Sequence, residues 1–247
     1  MTEKMDKSSG DGYLSYLLGL LFIRMKQHDE ACFALSEAVR LAPLNWDAWR
    51  NLAELLTSKE MEHKLDLPDH WMKFFYRVHS FQRLEKNAEC VSLVECLRTC
   101  GFDRTDFLNC EIASALLFMR QPDAALVYMM EVRERDPYRT ESMDVLSNLL
   151  FVQELRVDLS HLARAMCSVN KFKPETQYVL GNLFSLRGEH EKALLHIQRA
   201  LKLNPGHRSA WTVLGHEYMH MSNGSRAIQC YRKAVGEFSF VYESTVR

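Results

Sequence analysis

Glycine and proline are scarce in this chain, 10 and 6 of its 247 residues, which excludes a collagen-like or low-complexity polypeptide. Long apolar runs are missing as well. Residues 14–23 form the most conspicuous one, too short to span a bilayer, and Met25-Lys26-Gln27-His28 follows without a small-residue cleavage site, so neither a membrane span nor an export leader is expected. Neither sign of charge is in excess: 31 Lys and Arg against 32 Asp and Glu give a net charge of −1, which argues against a general nucleic-acid or membrane-surface binder. No CxxC pair occurs among the seven cysteines, at 32, 90, 96, 100, 110, 167 and 230. Reduced thiols in a nuclear or cytoplasmic compartment are the expectation. Cys96 and Cys100, four apart, are expected to be buried small residues rather than half a metal site. A nucleophile elbow, a P-loop and a dinucleotide fingerprint are all absent, and no cofactor is implied.

What the chain does contain is a ruler. Counting Pro174 as position 1, Leu180 and Gly181 fall at 7 and 8, Phe184 at 11, Ala193 at 20, Ala200 at 27 and Pro205 at 32. Counting again from Arg208, Trp211 takes 4, Leu214 and Gly215 take 7 and 8, Tyr218 takes 11, and Ala227 and Ala234 take 20 and 27. Positions 4, 7, 8 and 11 share one face of a first helix, and 20, 24 and 27 one face of a second. Small residues at 8 and 20 admit close approach, and the proline ends the second helix. The pattern is the tetratricopeptide signature, and it predicts an all-α fold, a right-handed solenoid of antiparallel helix pairs in which each pair completes its core against its neighbours.

The same count holds along the chain. Residues 1–11 are polar and expected to be loose. Units open at Gly12, Trp46, Trp71, Asp106, Thr140, Pro174 and Arg208, seven in all. The second is shortened, its second helix expected to close at Pro68 with Asp69 capping the next helix, and Gly101 ends the third. Residues 12–105 are read as N-terminal units suited to dimerisation, 106–235 as later units with a concave peptide groove, and 236–247 as an aperiodic tail.

One motif competes with the scaffold reading. His216-Glu217-Tyr218-Met219-His220 is HExxH, the zinc-metallopeptidase spacing, with two imidazoles on one helix face and a glutamate to act as base. These residues already sit inside a repeat, and no good third ligand follows, so catalysis is not expected and no metal site is assigned. Positions 2, 5, 9 and 12 of first helices line the groove of such arrays. Here they supply a polar, acidic wall, from which Asp144, Asn148, Tyr178 and Asn182, with Glu217 beside them, are the candidate partner-groove residues. Tetratricopeptide co-chaperones hold acidic tails with Lys or Arg at positions 2, 5 and 6. This wall has Asp144 and Tyr178 at position 5, which suits an arginine or free amine instead.

More specific words stand outside the general repeat pattern: Trp71-Met72-Lys73 after Leu67-Pro68-Asp69, Asp136-Pro137-Tyr138-Arg139, Met143-Asp144, Ser147-Asn148-Leu149-Leu150, HEKALLHIQRALKLNP at 190–205, and Ala210-Trp211-Thr212 leading to Leu214-Gly215-His216-Glu217-Tyr218-Met219. With these, residues 11–235 resemble the tetratricopeptide family of subunit eight of the anaphase-promoting complex, or cyclosome. The resemblance implies a non-catalytic scaffold of a ubiquitin ligase acting in mitosis, partnered by other subunits of that complex. It implies a homodimer through the N-terminal repeats, later repeats that bind a short arginine-bearing motif of a WD40 coactivator, and a nuclear and cytoplasmic location. Asn148, Asn182 and Glu217 are the groove residues it carries over. It also implies more chain ahead of the first repeat and further repeats beyond Val235, so a form shortened at both ends is expected.

Overall fold

Thirteen α-helices and no strand occupy the described residues of this computed structural model, which are 11–55, 67–84 and 86–242, with 236–242 described as backbone only. In order they are α1 (Gly12–Arg24), α2 (His28–Leu41), α3 (Trp46–Leu55), α4 (Met72–Arg83), α5 (Asn87–Leu97), α6 (Asp106–Phe118), α7 (Pro122–Arg135), α8 (Met143–Val152), α9 (Arg156–Asn170), α10 (Pro174–Leu186), α11 (His190–Leu203), α12 (Arg208–His220) and α13 (Gly224–Tyr242). First helices start at or within a few residues of each position read from the repeat. None of the described helices is long and apolar enough to cross a membrane. The chain divides into two compact units, residues 1–119 and 120–247.

Position 8 explains the pairing. A methyl group placed on Gly19 would lie 2.7 Å from the Leu35 side chain, and one on Gly215 would lie 2.5 Å from the Tyr231 ring. Leu35 and Tyr231 both stand at position 24, as does Ile197, which blocks the same space over Gly181. Hydrogen at position 8 is therefore what lets the bulky residue of the second helix reach the first. Gly215→Leu is expected to overpack α12 against α13 and cost about 1–3 kcal/mol, read as a lowered denaturation midpoint of the full chain.

Position 4 and the closing proline are coupled by a hydrogen bond. Trp49 Nε1–H donates to the Pro43 carbonyl at 2.8 Å, and Trp211 Nε1–H to the Pro205 carbonyl at 2.9 Å. Proline frees its carbonyl from further helix bonding by ending the helix, and the indole of the following repeat takes it up. In the N-terminal unit Trp49, wholly buried, then gathers Leu35, Ala38, Leu52 and Tyr76 into one core.

First helices of five units reverse in the same way. The amide at position 16 donates to the carbonyl at position 11, as in Gln27 to Phe22 at 3.0 Å, Leu155 to Leu150 at 2.9 Å and Asn223 to Tyr218 at 2.8 Å. Position 15 takes the left-handed conformation: Lys26 (φ 60), Arg120 (φ 58), Glu154 (φ 55), Gly188 (φ 77) and Ser222 (φ 58).

Several local expectations are corrected. The fifth unit opens at Thr140, yet its helix begins at Met143, because Ser142 in the left-handed region (φ 61) cannot belong to a helical turn. Asp69 does not cap α4; the Met72 amide instead meets His70 Nδ1 at 3.3 Å. Gly101 does end the third unit, through a π-type turn, Arg98–Phe102, in which its φ of 104 breaks the helix. Cys96 and Cys100 are exposed, not buried. Cys90, Val94 and Leu97 already make the inward face of α5, which turns Cys96 outward, and the π-type turn carries Cys100 past the last buried residue. The backbone of α13 stays helical to Tyr242, past the Val235 at which the sequence loses its period. The shortened second helix expected before Pro68 falls almost wholly on residues 56–66, outside the described residues.

Candidate functional site

In the unit of residues 120–247, the first helices α8, α10 and α12 pack side by side, α10 touching both of the others. Their facing positions carry two polar clusters. The first joins α8 to α10. Tyr178 Oη donates to Asn148 Oδ1 at 2.6 Å, and Asn182 Nδ2 donates both to Asn148 Oδ1 at 3.1 Å and to Ser147 Oγ at 2.9 Å. Tyr178 also supports His207, the residue before α12, whose ring lies 4.7 Å from its own, and His207 Nε2 is 3.4 Å from Asp144 Oδ2. The second cluster joins α10 to α12. Ser185 Oγ donates to Glu217 Oε1 at 2.5 Å, and His190 Nδ1 lies 2.8 Å from Glu217 Oε2.

Burial sorts the five expected groove residues into two kinds. Asp144 keeps a quarter of its side chain exposed and Asn148 is half-buried. Tyr178, Asn182 and Glu217 are interior, at 0%, 1% and 1% exposure, with their polar atoms engaged between helices. A buried amide or carboxylate is tolerated only when bonded, and here each bond crosses from one repeat to the next. Burial pushes the Tyr178 phenol well above its usual range, Asp144 adds to this, and the bonds to Asn182 and Asn148 offset part of it. The hydroxyl therefore remains a donor, which keeps the Asn148 oxygen turned inward.

Four partners in these clusters were not foreseen. Ser147 stands at position 8, where a hydroxyl in place of Gly or Ala was a readable sign of a polar contact. Ser185 was among the groove positions but not chosen. His190 and His207 open or precede helices, and only the three-dimensional stacking brings them in.

The HExxH residues diverge. His216 is exposed, with Nδ1 2.9 Å from the Tyr231 hydroxyl on α13. His220 stacks on His190 at 4.8 Å, nearly parallel at 16°. Glu217 is turned inward to Ser185 and His190, so it cannot serve a water held between the two histidines. Among the described residues no three His, Cys, Asp or Glu side chains converge as metal ligands.

Residues 1–113 match the family Anaphase promoting complex subunit 8 / Cdc23, and residues 174–207 and 209–237 each match a tetratricopeptide repeat. Anaphase-promoting complex subunit 8 of Arabidopsis thaliana is 38% identical over 213 residues, covering 86% of this chain and 37% of the relative. This chain is similar to anaphase-promoting complex subunit 8 / Cdc23. Subunit 8 of Dictyostelium discoideum is 36% identical over 90% of this chain and 38% of its own length, and the human cell division cycle protein 23 homolog is 43% identical over 68% and 28%. The chain thus spans well under half the length of these relatives. A chain in the crystal structure of the APC/C hetero-tetramer Cut9-Hcn1 superposes with a TM-score of 0.73 at 17% identity, covering 91% of this chain and 45% of that one, which shows the tetratricopeptide solenoid fold. By their names, the relatives are anaphase-promoting complex subunits or cell division cycle proteins.

Proposed function

We propose that this chain is a scaffold of the anaphase-promoting complex, working in the nucleus and cytoplasm with other subunits of that ligase, and that the groove of α8, α10 and α12 takes a short arginine-bearing segment of a WD40 coactivator. The observation that carries the reading is the partly exposed Asp144 carboxylate, set beside Asn148 over a buried network that holds both in place. A guanidinium pairs with a carboxylate through two parallel hydrogen bonds, and an anchored acceptor loses little freedom on binding. Asp144 and Asn148 meet the ligand; Tyr178 and Asn182 position them, and Glu217 locks the last two repeats together. An acidic tail of the kind held by co-chaperones is disfavoured at this wall by the same carboxylate.

The experiment is a titration of the full chain with an arginine-bearing coactivator peptide. Asp144→Ala removes one charge-assisted contact of about 1.5–3 kcal/mol, and binding should weaken about tenfold or more. Equal binding by parent and variant removes the groove assignment.

The homodimer is proposed to form through the N-terminal repeats. Tyr13, Leu17 and Leu21 on α1, with Met25 at its C-cap, are spaced four apart and more than half exposed, an apolar stripe of the kind that marks association. Light scattering should give twice the chain mass for the parent and the single mass for Leu17→Glu with Leu21→Glu. A monomeric parent counts against the dimer.

A further inference from the structure

The other side of repeats six and seven, formed by their second helices, carries charge of the opposite sign. Two open pockets lie there. The first, of about 370 Å³, is framed by Lys202 of α11, Trp211 and Tyr218 of α12, and Arg226 and Lys233 of α13. The second, of about 400 Å³, is lined by Lys171, Phe172, Gln177, Arg199, Lys202 and Leu203. Lys202 belongs to both, so the pockets adjoin and together present five cations. No Asp or Glu lines either.

These cations are placed over apolar surface rather than neutralised. Lys233 Nζ sits 4.4 Å from the centroid of the Trp211 ring, and the Arg226 guanidinium carbon 5.7 Å from that of Tyr218. Among the described residues no carboxylate is ion-paired with Lys171, Arg199, Lys202, Arg226 or Lys233. A cation held on an aromatic face keeps its other donors free for an incoming anion, so the rings orient the charges without satisfying them. Phe172, 78% exposed, and Leu203, 55% exposed, add unpartnered apolar surface at the second pocket. In a chain whose net charge is −1, this separation of sign between the two sides of one unit is a local property that total composition conceals.

We propose that the second-helix side of repeats six and seven docks an acidic peptide segment, with carboxylates on Lys202, Arg226 and Lys233 and an aromatic or aliphatic side chain seated against Trp211 or Phe172. A peptide that alternates acidic and apolar residues matches both the charge and the two discrete pockets. A nucleic-acid backbone matches only the charge, and it meets no extended basic stripe and an acidic groove on the opposite side. The site is separate from the proposed arginine-binding groove and does not depend on it.

The test is fluorescence anisotropy of the full chain with a labelled synthetic peptide of Glu and Asp interrupted by Phe and Leu. The parent should bind, more weakly as salt is raised, and Lys202→Glu with Lys233→Glu should weaken binding about tenfold or more while leaving the circular dichroism melt unchanged, since both side chains are exposed. Replacing Phe and Leu in the peptide by Ser should also weaken it. An excess of arginine-bearing peptide should not compete. Absence of binding by the parent, equal binding by the double variant, competition by the arginine peptide, or equal binding of a single-stranded oligonucleotide that the double variant also loses would each overturn the proposal.

Discussion

Truncating Trp49 to Ala is expected to destabilise the N-terminal unit by about 3–5 kcal/mol, the range for removing a fully buried large aromatic side chain. Two separate losses coincide at this residue, and its neighbours are poorly placed to recover them. Its ring is wholly inaccessible and packs against Tyr76 at 5.4 Å, so the truncation opens a cavity lined by Leu35, Leu52 and Tyr76. Its indole N–H is the partner of the Pro43 carbonyl, so the junction of the first and second repeats also loses its hydrogen bond. Collapse of the neighbours to fill the space is hindered because Ala38, Ala48 and Ala53 around it are already small. Trp49→Phe separates the terms: it keeps a ring in the core and gives up the indole donor, for a smaller cost of about 1–2 kcal/mol. Urea denaturation of the full chain followed by circular dichroism reads both. A loss under about 1 kcal/mol for Trp49→Ala would mean that the repeat junction is not packed as described.

Tyr178→Ala should cost a comparable 3–5 kcal/mol in the other unit and should abolish the proposed groove as well. Tyr178 is wholly buried, stacks on His207 and bonds Asn148, so its removal releases both residues that flank Asp144. Tyr178→Phe keeps the packing and removes only the hydroxyl, leaving Asn148 with Asn182 as its remaining donor there, at about 1–3 kcal/mol. The pair also differ in pH dependence. Because burial and Asp144 raise the folded phenol above its ordinary value of 10.0, the unfolded chain loses this proton first. The contribution is complete below pH 10 and declines as pH rises beyond that. The parent should therefore lose stability above pH 10 more steeply than Tyr178→Phe, and parallel curves would show that the phenol is not held in the interior.

The seven-unit frame was legible because each repeat restates one steric requirement, and an error of even one residue would have set Gly19, Gly181 and Gly215 against the wrong partners. Helix starts at Gly12, Trp46, Asp106, Pro174 and Arg208 follow directly from that count. The site was legible only as a face. Periodicity assigns Asn182 and Glu217 to the inner side of their helices, but whether a polar side chain there meets solvent or a neighbouring repeat depends on what stands opposite. Here Ser147 and Ser185 are small enough to admit them, and His190 reaches Glu217 from a helix start that carries no positional signal. The HExxH motif misleads for the same reason, since spacing along one helix says nothing of the direction in which the glutamate is drawn. The basic pockets do not show along the sequence because their cations come from α11, α13 and the turn after α9, and only packing assembles them.

Sparse glycine returns at the turns. Five described corners need a residue in the left-handed region, and only Gly188 is suited to it; Lys26, Arg120, Glu154 and Ser222 are each bent there at about 1 kcal/mol of conformational cost. That energy is given back whenever a single helix pair unravels, which lowers the threshold for loosening one pair without its distant neighbours. Each of these four corners thus holds its own small strain, and the helix pairs should yield piecemeal under load instead of failing in a single break.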